Sequence, residues 1–361
     1  MDRLKVLGMM SGTSLDGVDA AVIETDGHQV YGFGPTAFRA YDEGEQNVLR
    51  AALGRWPGEA GVQAAADLIV QAHRDVLDQF GPVDLVGFHG QTLAHDPAGR
   101  RTHQAGDGAL LARLTGRSVA WNFREADVAA GGQGAPFAPA YHFALAQWME
   151  AADPVAFLNL GGVGNLTWID PAKGSMAESG ALIAFDTGPA NAPINDAMLA
   201  RRGVGFDVGG AVAGQGVVEE SIVQSFLQHP YFQQCPPKSL DRDAFSDLSA
   251  NVEALADAEA MATLTAAAAA CVGQAMRFCP RPPQRILVTG GGRKNPVLMR
   301  MIAERLSCPI DPVEEVGLDG DMLEAQAFAF LAARMFMDLP LSFPGTTGVE
   351  HPTAGGIITH P

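Results

Sequence analysis

Three glycine-rich segments of this chain have the residue types that hold an anion. The first is Gly8-Met9-Met10-Ser11-Gly12-Thr13-Ser14-Leu15-Asp16-Gly17-Val18-Asp19, in which hydroxyls and two carboxylates are packed among glycines. Successive backbone N–H groups in such a turn can cradle a phosphate, while Asp16 or Asp19 carries the accompanying divalent cation. Ordinary hairpin turns use the same residue types, so a plain turn stands as the other reading. No G-x-x-x-x-G-K-[ST] occurs, which excludes a Walker loop.

The second segment, Leu160-Gly161-Gly162-Val163-Gly164-Asn165, follows the apolar run 155–158. The third, Thr289-Gly290-Gly291-Gly292-Arg293-Lys294-Asn295-Pro296, follows 286–288. Strand, glycines and helix succeed one another in the third. The helix N-terminus there offers unpaired N–H groups, and the glycines let a flat base or ribose lie against the backbone. A formal G-x-G-x-x-A at 32–37 contains Pro35 and is not followed directly by a helix, so we reject it as a dinucleotide site.

Asp186 ends the apolar run 181–185 and precedes Thr187-Gly188-Pro189, where a helix is expected to begin. At the carboxyl end of a strand it is a candidate general base, worth about 10² to 10⁴ in rate. A plain helix N-cap is the alternative. His89 and Gln91, in Phe88-His89-Gly90-Gln91-Thr92, end another strand and suit hydrogen bonding to a polyol, although a lone histidine there is often structural. Arg124 can clamp a carboxylate or phosphate, or form a surface ion pair. Asp321 and Glu324 open a helix, where acidic residues favour the dipole in any case.

Positioning these groups calls for an α/β chain. Short Val-, Ile- and Leu-rich runs are expected as strands at 4–9, 19–25, 30–33, 84–89, 118–123, 155–160, 165–169, 182–185, 285–289 and 309–313. Helical patterns cover 62–80, 107–114, 136–149, 212–227, 252–278, 296–306 and 321–337. The Gly/Pro cluster at 129–139 marks a boundary. Segments 4–27 and 155–174 read alike, each as strand, glycine turn and strand, which implies a hairpin used twice.

Composition narrows the partners. Among 361 residues, 24 Lys+Arg face 41 Asp+Glu for a net charge of −17, a balance that repels nucleic acid and anionic membranes alike. The 42 glycines exceed the roughly 7% of average usage and point to many tight turns. Cys235, Cys271, Cys279 and Cys308 form no C-x-x-C pair, and we expect buried thiols in a reducing compartment. The N-terminus lacks a signal-peptide core of about 7 to 15 apolar residues, so a cytoplasmic location is expected.

The first loop closely resembles the signature of the 1,6-anhydro-N-acetylmuramic acid kinases. The likeness continues through His89-Gly90-Gln91-Thr92, Gln104-x-Gly106-Asp107, Gly131-Gly132-Gln133-Gly134-Ala135-Pro136, Asn159-Leu160-Gly161-Gly162, Asp186-Thr187-Gly188-Pro189, Pro237-Lys238-Ser239, Gly290-Gly291-Gly292-Arg293-x-Asn295-Pro296 and Asp321-x-x-Glu324-Ala325. The resemblance implies two RNase H-like lobes, as in actin-like ATPases and sugar kinases, around a central nucleotide cleft. The N-terminal lobe would be 1–131 plus 338–361 and the C-terminal lobe 132–337. It implies ATP and Mg²⁺ as cofactors, a homodimer, and a place in peptidoglycan recycling.

Residue by residue, the resemblance gives Gly12, Thr13, Ser14, Leu15, Asp16, Gly17, Val18 and Asp19 to the phosphates, with Asp16 and Asp19 on the metal. Gly161, Gly162, Gly290, Gly291 and Gly292 would also hold nucleotide, and His89, Gln91, Arg124, Asp186 and Glu324 the sugar. Asp186 would take a proton from water attacking C1 while O6 leaves to the γ-phosphate. Three positions depart from the family pattern: Asn122 stands where Asp is expected, Ala190 where Gly is, and Pro193 lies in a helix start that is one residue longer. Two other classes stay open: another sugar or acid kinase of the same superfamily, and a non-catalytic ATP-driven clamp.

Overall fold

The computed structural model describes residues 3–12, 14–241 and 244–361. The chain forms two compact units, Met1–Glu150 with Met322–Pro361, and Ala151–Asp321. The first unit carries strands β1 (Leu4–Ser11), β2 (Gly17–Thr25), β3 (Val30–Ala40), β4 (Leu85–Asp96), β5 (Arg101–Ala105) and β6 (Val119–Trp121). The second carries β7 (Val155–Leu160), β8 (Val163–Ile169), β9 (Leu182–Pro189), β10 (Arg285–Thr289) and β11 (Ile310–Pro312). A last strand, β12 (Ile357–Thr359), returns to the first unit as the antiparallel neighbour of β6.

Both sheets use one plan. In the first unit the order is β6-β4-β1-β2-β3, and in the second β11-β10-β7-β8-β9. In each, the opening strand is antiparallel to its hairpin partner and parallel to the next strand over. The expected hairpin repeat is therefore real and extends to five strands per unit. β5 pairs with the far end of β4.

Most of β1 and β2 is buried, as apolar runs covered on both faces should be. On one face lie helices α1 (Glu43–Ala52), α2 (Val62–Leu77) and α3 (Gly108–Thr115), whose Leu49, Ile69 and Leu111 are fully buried with Leu7 and Val86. After the short α4 (Glu125–Ala129) comes α5 (Ala138–Trp148). The other face is covered by the last helix of the chain, Leu323–Phe336, whose backbone rests directly on two strand glycines. A methyl group on Gly8 would overlap the Ala325 carbonyl, and one on Gly87 the Phe328 carbonyl. Only glycine admits so close a backbone approach.

That contact corrects the expected lobe boundaries. Residues 132–150 and 322–337, assigned to the C-terminal lobe, pack with the first unit, where Tyr141 Oη donates to Gln326 Oε1 at 2.9 Å. In the second unit, α6 (Asn191–Arg202), α7 (Glu220–Phe226), α8 (Ser246–Asn251), α9 (Asp257–Ala275) and α10 (Pro296–Ala303) precede that last helix, α11. The single helices expected at 212–227 and 252–278 are broken. Gly216 crosses so close to Ala258 that a side chain would overlap its backbone, and α9 begins only at Asp257. The rejected glycine motif at 32–37 lies inside β3. Of the cysteines only Cys271 is buried; Cys235 is exposed and the other two half-buried, contrary to expectation. No helix among the described residues is long and apolar enough to cross a membrane.

Candidate active site

In the first unit, the candidate groups collect at the carboxyl ends of the parallel strands β1, β4 and β6, the edge where open α/β sheets bind ligands. Ser11 ends β1 opposite Gln91 on β4, and Ser11 Oγ donates to Gln91 Oε1 at 2.6 Å while lying 2.8 Å from Tyr41 Oη. Gln91 is wholly buried, and its Nε2 donates to the Thr92 carbonyl. It therefore fastens the start of the first glycine turn.

The turn is internally braced: Leu15 N–H donates to Gly12 O at 3.2 Å, and Ser14 Oγ to Asp16 Oδ1 at 2.8 Å. Ser14 and Asp16 are exposed, whereas Leu15 and Val18 bury their side chains and have only backbone to give a phosphate. Gly12 precedes the turn and Gly17 opens β2; Thr13 lies outside the described residues. Asp19 is half-buried on β2. Mg²⁺ keeps several waters and takes one or two carboxylates with phosphate oxygens, a demand that Asp16 and Asp19 fit. Among the described residues, no cluster of three or more His, Cys, Asp or Glu could hold a metal alone.

His89 is 4% exposed and its ring packs on Phe328 with centroids 4.4 Å apart. Arg124 Nε donates to His89 Nε2 at 2.9 Å, which places the histidine proton on Nδ1, itself 2.9 Å from the Gly90 carbonyl. Burial, and then the Arg124 charge, hold this imidazole well below its ordinary pKa. A neutral His89 thus orients Arg124. Arg124 Nη1 donates to Gly134 O at 2.6 Å. Burial brings the guanidinium down to about 10, opposed by the negative charges of Glu324 and Asp127. Arg124 and Glu324, placed apart in sequence, are brought together here.

Asp127 is a residue the sequence reading passed over. Buried, it accepts from Gly134 N–H and Thr347 Oγ1, each at 2.6 Å, and so secures the loop that carries the Arg124 acceptor. Its only sequence signal was its place beside the 129–139 glycine cluster. The Asn122 departure leaves Arg124 untouched, because Arg124 is set by His89 and Gly134. Asn122 adopts φ 59°, a left-handed conformation asparagine tolerates, and its Nδ2 donates to Glu125. An aspartate there would repel that carboxylate.

In the second unit, Asp186 on β9 pairs with Asn165 on β8. The strand runs on to Pro189 and α6 begins at Asn191, so Asp186 is not a helix cap. Its Oδ1 accepts from Asn165 Nδ2 at 2.8 Å and its Oδ2 from Leu240 N–H at 2.7 Å. Burial raises this carboxyl above the ordinary aspartate value, while Asn165 and Leu240 pull it down. The result is an oriented carboxylate more basic than a free one, as a general base requires.

Both remaining glycine loops lie at the same sheet edge. Gly161 O and Leu160 O accept from Asn191 Nδ2, and Gly162 O accepts from the N–H groups of Ala190 and Ala192. The carbonyls of this turn are thus turned to α6. Ala190 has a negative φ, so no glycine is needed, and Pro193 falls among the first helical residues, whose N–H groups have no partner within the helix. Gly290 has φ 74°, and a side chain there would run into Asn159 and Leu160. The second and third loops therefore touch. Gly291 and Gly292 form a short 3₁₀ turn ahead of α10, capped by Asn295. Arg293, its side chain 5% exposed, donates to Gly290 O at 3.0 Å and pairs with Glu314 and Asp321, bracing the loop from within.

Comparison with known proteins shows the family. The profile of the family "Anhydro-N-acetylmuramic acid kinase" matches residues 4–361. An anhydro-N-acetylmuramic acid kinase of Cereibacter sphaeroides is 59% identical over 355 residues, covering 98% of this chain and 96% of that protein. One of Ruegeria sp. is 56% identical over 358 residues, covering 99% and 95%. A ROK family glucokinase from Streptomyces griseus, solved with glucose and AMPPNP, is a distant structural match at 15% identity and TM-score 0.44, covering 91% of this chain and 99% of that one. A match of this extent over nearly every residue has one meaning: the chain belongs to the anhydro-N-acetylmuramic acid kinase family.

Proposed function

We propose that the protein is an ATP-dependent kinase that hydrolytically opens the internal acetal of 1,6-anhydro-N-acetylmuramic acid and phosphorylates O6. The products are N-acetylmuramic acid 6-phosphate and ADP. O6 is bridged to C1 in this sugar, so no 6-hydroxyl exists until the bridge is cut. Asp186 accepts a proton from water as the water oxygen bonds to C1. The C1–O6 bond breaks, and O6 attacks the γ-phosphorus as the bond to ADP breaks. One water and one ATP are consumed, and one proton is released. Mg²⁺ on Asp16 and Asp19 supplies charge neutralisation for the phosphates.

The observation that carries this reading is Asp186, a carboxylate fixed by Asn165 and Leu240 on the sheet edge that also bears two glycine loops. Gly12, Ser14, Asp16, Gly17, Asp19 and the backbone of Leu15 and Val18, with Thr13, are proposed to serve the phosphates. Gly161, Gly162 and Gly290 to Gly292 serve the nucleotide, and Arg124 and Glu324 the sugar. His89 and Gln91 act by setting Arg124 and the first turn. Action in the cytoplasm as a homodimer, in peptidoglycan recycling, completes the proposal. ADP release from purified protein, Mg²⁺, ATP and the anhydro sugar tests it. ADP release that depends on the anhydro sugar is the expected outcome; release only with a sugar bearing a free 6-hydroxyl would identify an ordinary sugar kinase instead.

A further inference from the structure

The chain that reaches Asp186 from outside its sheet is residues 231–240. Asp186 N–H donates to Lys238 O at 3.0 Å, Leu240 N–H donates to Asp186 Oδ2 at 2.7 Å, and Tyr231 Oη donates to Asp186 O. This segment has no regular structure beyond the 3₁₀ turn Pro230–Gln233, so its register against β9 rests on these bonds and on side-chain contacts that support them. Lys238 is placed to do so. Its Nζ lies 4.3 Å from the Phe278 ring centroid, 4.4 Å from Tyr231 and 5.7 Å from Phe185, and donates to Tyr231 O at 3.2 Å. Phe185 immediately precedes Asp186 in β9, while Phe278 follows α9, so the cage joins three separate stretches of chain. A cation over aromatic faces is held by ring quadrupoles, and the more so when partly removed from water.

We propose that Lys238 is a positioning residue for Asp186: its caged ammonium locks residues 237–240 to β9 and so keeps the Leu240 N–H on the catalytic carboxylate. The inference rests on the reading of Asp186 as the base. A hydrogen bond to the charged form favours that form, so losing the Leu240 donor leaves burial less opposed and raises the carboxyl pKa. Among the described residues, the other titratable groups near this cluster are the Tyr231 phenol, Cys235, Cys271 on α9 and Arg277 beside Phe278. Burial drives the Tyr231 and Cys271 groups up, so neither titrates in the acid range.

The test compares wild type, Lys238→Met and Lys238→Arg in the pH dependence of kcat/KM for the sugar. Lys238→Met moves the acid limb up by about one unit, the scale of one charge-assisted hydrogen bond, and lowers kcat with the KM for ATP unchanged. Lys238→Arg keeps a cation over the rings and restores the limb. An unmoved limb in Lys238→Met, or an equal shift in Lys238→Arg, overturns the proposal. The second measurement needs no variant and no turnover: in wild type the Leu240 amide resonance should titrate with Asp186, and a pH-independent amide overturns the proposal even if the sugar kinase activity is present. Absent activity with a titrating Leu240 amide would instead count against the functional reading alone.

Discussion

Asp186→Asn separates the chemistry of this residue from its structural ties. The carboxylate accepts from Asn165 Nδ2 on one side and Leu240 N–H on the other. An asparagine keeps one oxygen for Leu240 and turns its amide nitrogen toward Asn165, whose own amide can rotate to present oxygen. Both contacts survive, and two charge-assisted hydrogen bonds become neutral ones, a loss of about 1 to 2 kcal/mol. For a unit of this size that is a fall of roughly 2 to 8 °C in Tm. Turnover loses a general base, which is about 10² to 10⁴ in rate, or roughly 3 to 5 kcal/mol in the barrier. Initial rates of ADP release, calorimetric titration of nucleotide and a denaturation curve read the three quantities. A folded variant with unchanged nucleotide affinity and turnover within tenfold of wild type would refute the assignment of Asp186 as the base.

Further predictions follow from the same contacts. Arg124→Lys cannot reproduce the paired bonds to His89 Nε2 and Gly134 O, so the KM for the sugar rises about tenfold or more while the KM for ATP holds, read from initial rates. Gly8→Ala drives a methyl into the α11 backbone and destabilises the first unit by about 3 kcal/mol or more, seen as a lower denaturation midpoint. His73 and His142 are buried with pKa values lowered by burial to about 4 and about 3. The unfolded chain binds these protons first, so the stability they contribute is fully present above about pH 6.5 and is lost as the pH falls toward 4 and 3. Denaturation midpoints across that window should fall with pH, and His73→Gln should flatten the slope.

Much of the fold was legible because buried strands ending at glycine have a strong pattern. β7 and β10 fall on the expected residues, and the hairpin repeat was visible from 4–27 and 155–174. What was missed lacked that pattern. β5 and β12 are short edge strands, and β3 continues through Gly32, Gly34 and Pro35 because the edge leaves its backbone freer. α1 carried a legible signal, the capping box of Asp42 and Glu45, which was overlooked.

The candidate site is legible in its glycines and in Asp186, since those residue types announce themselves at strand ends. Its support is not. Leu240 acts through a backbone N–H that any residue but proline would supply, and Asp127 works from the short helix α4 on a partner, Thr347, 220 residues away. His89 and Gln91 were assigned to the sugar because their side chains are polar. Their neighbours Arg124 and Ser11, invisible as partners in sequence, bond His89 Nε2 and Gln91 Oε1.

The coupling of ring opening to phosphorylation is tested most directly by isotope. With the anhydro sugar and ATP in ¹⁸O-labelled water, quenched early and compared with preformed product held in the same water, label is expected in the C1 hydroxyl and absent from the 6-phosphate. An unlabelled C1, or label in the phosphate, would contradict water attack at C1.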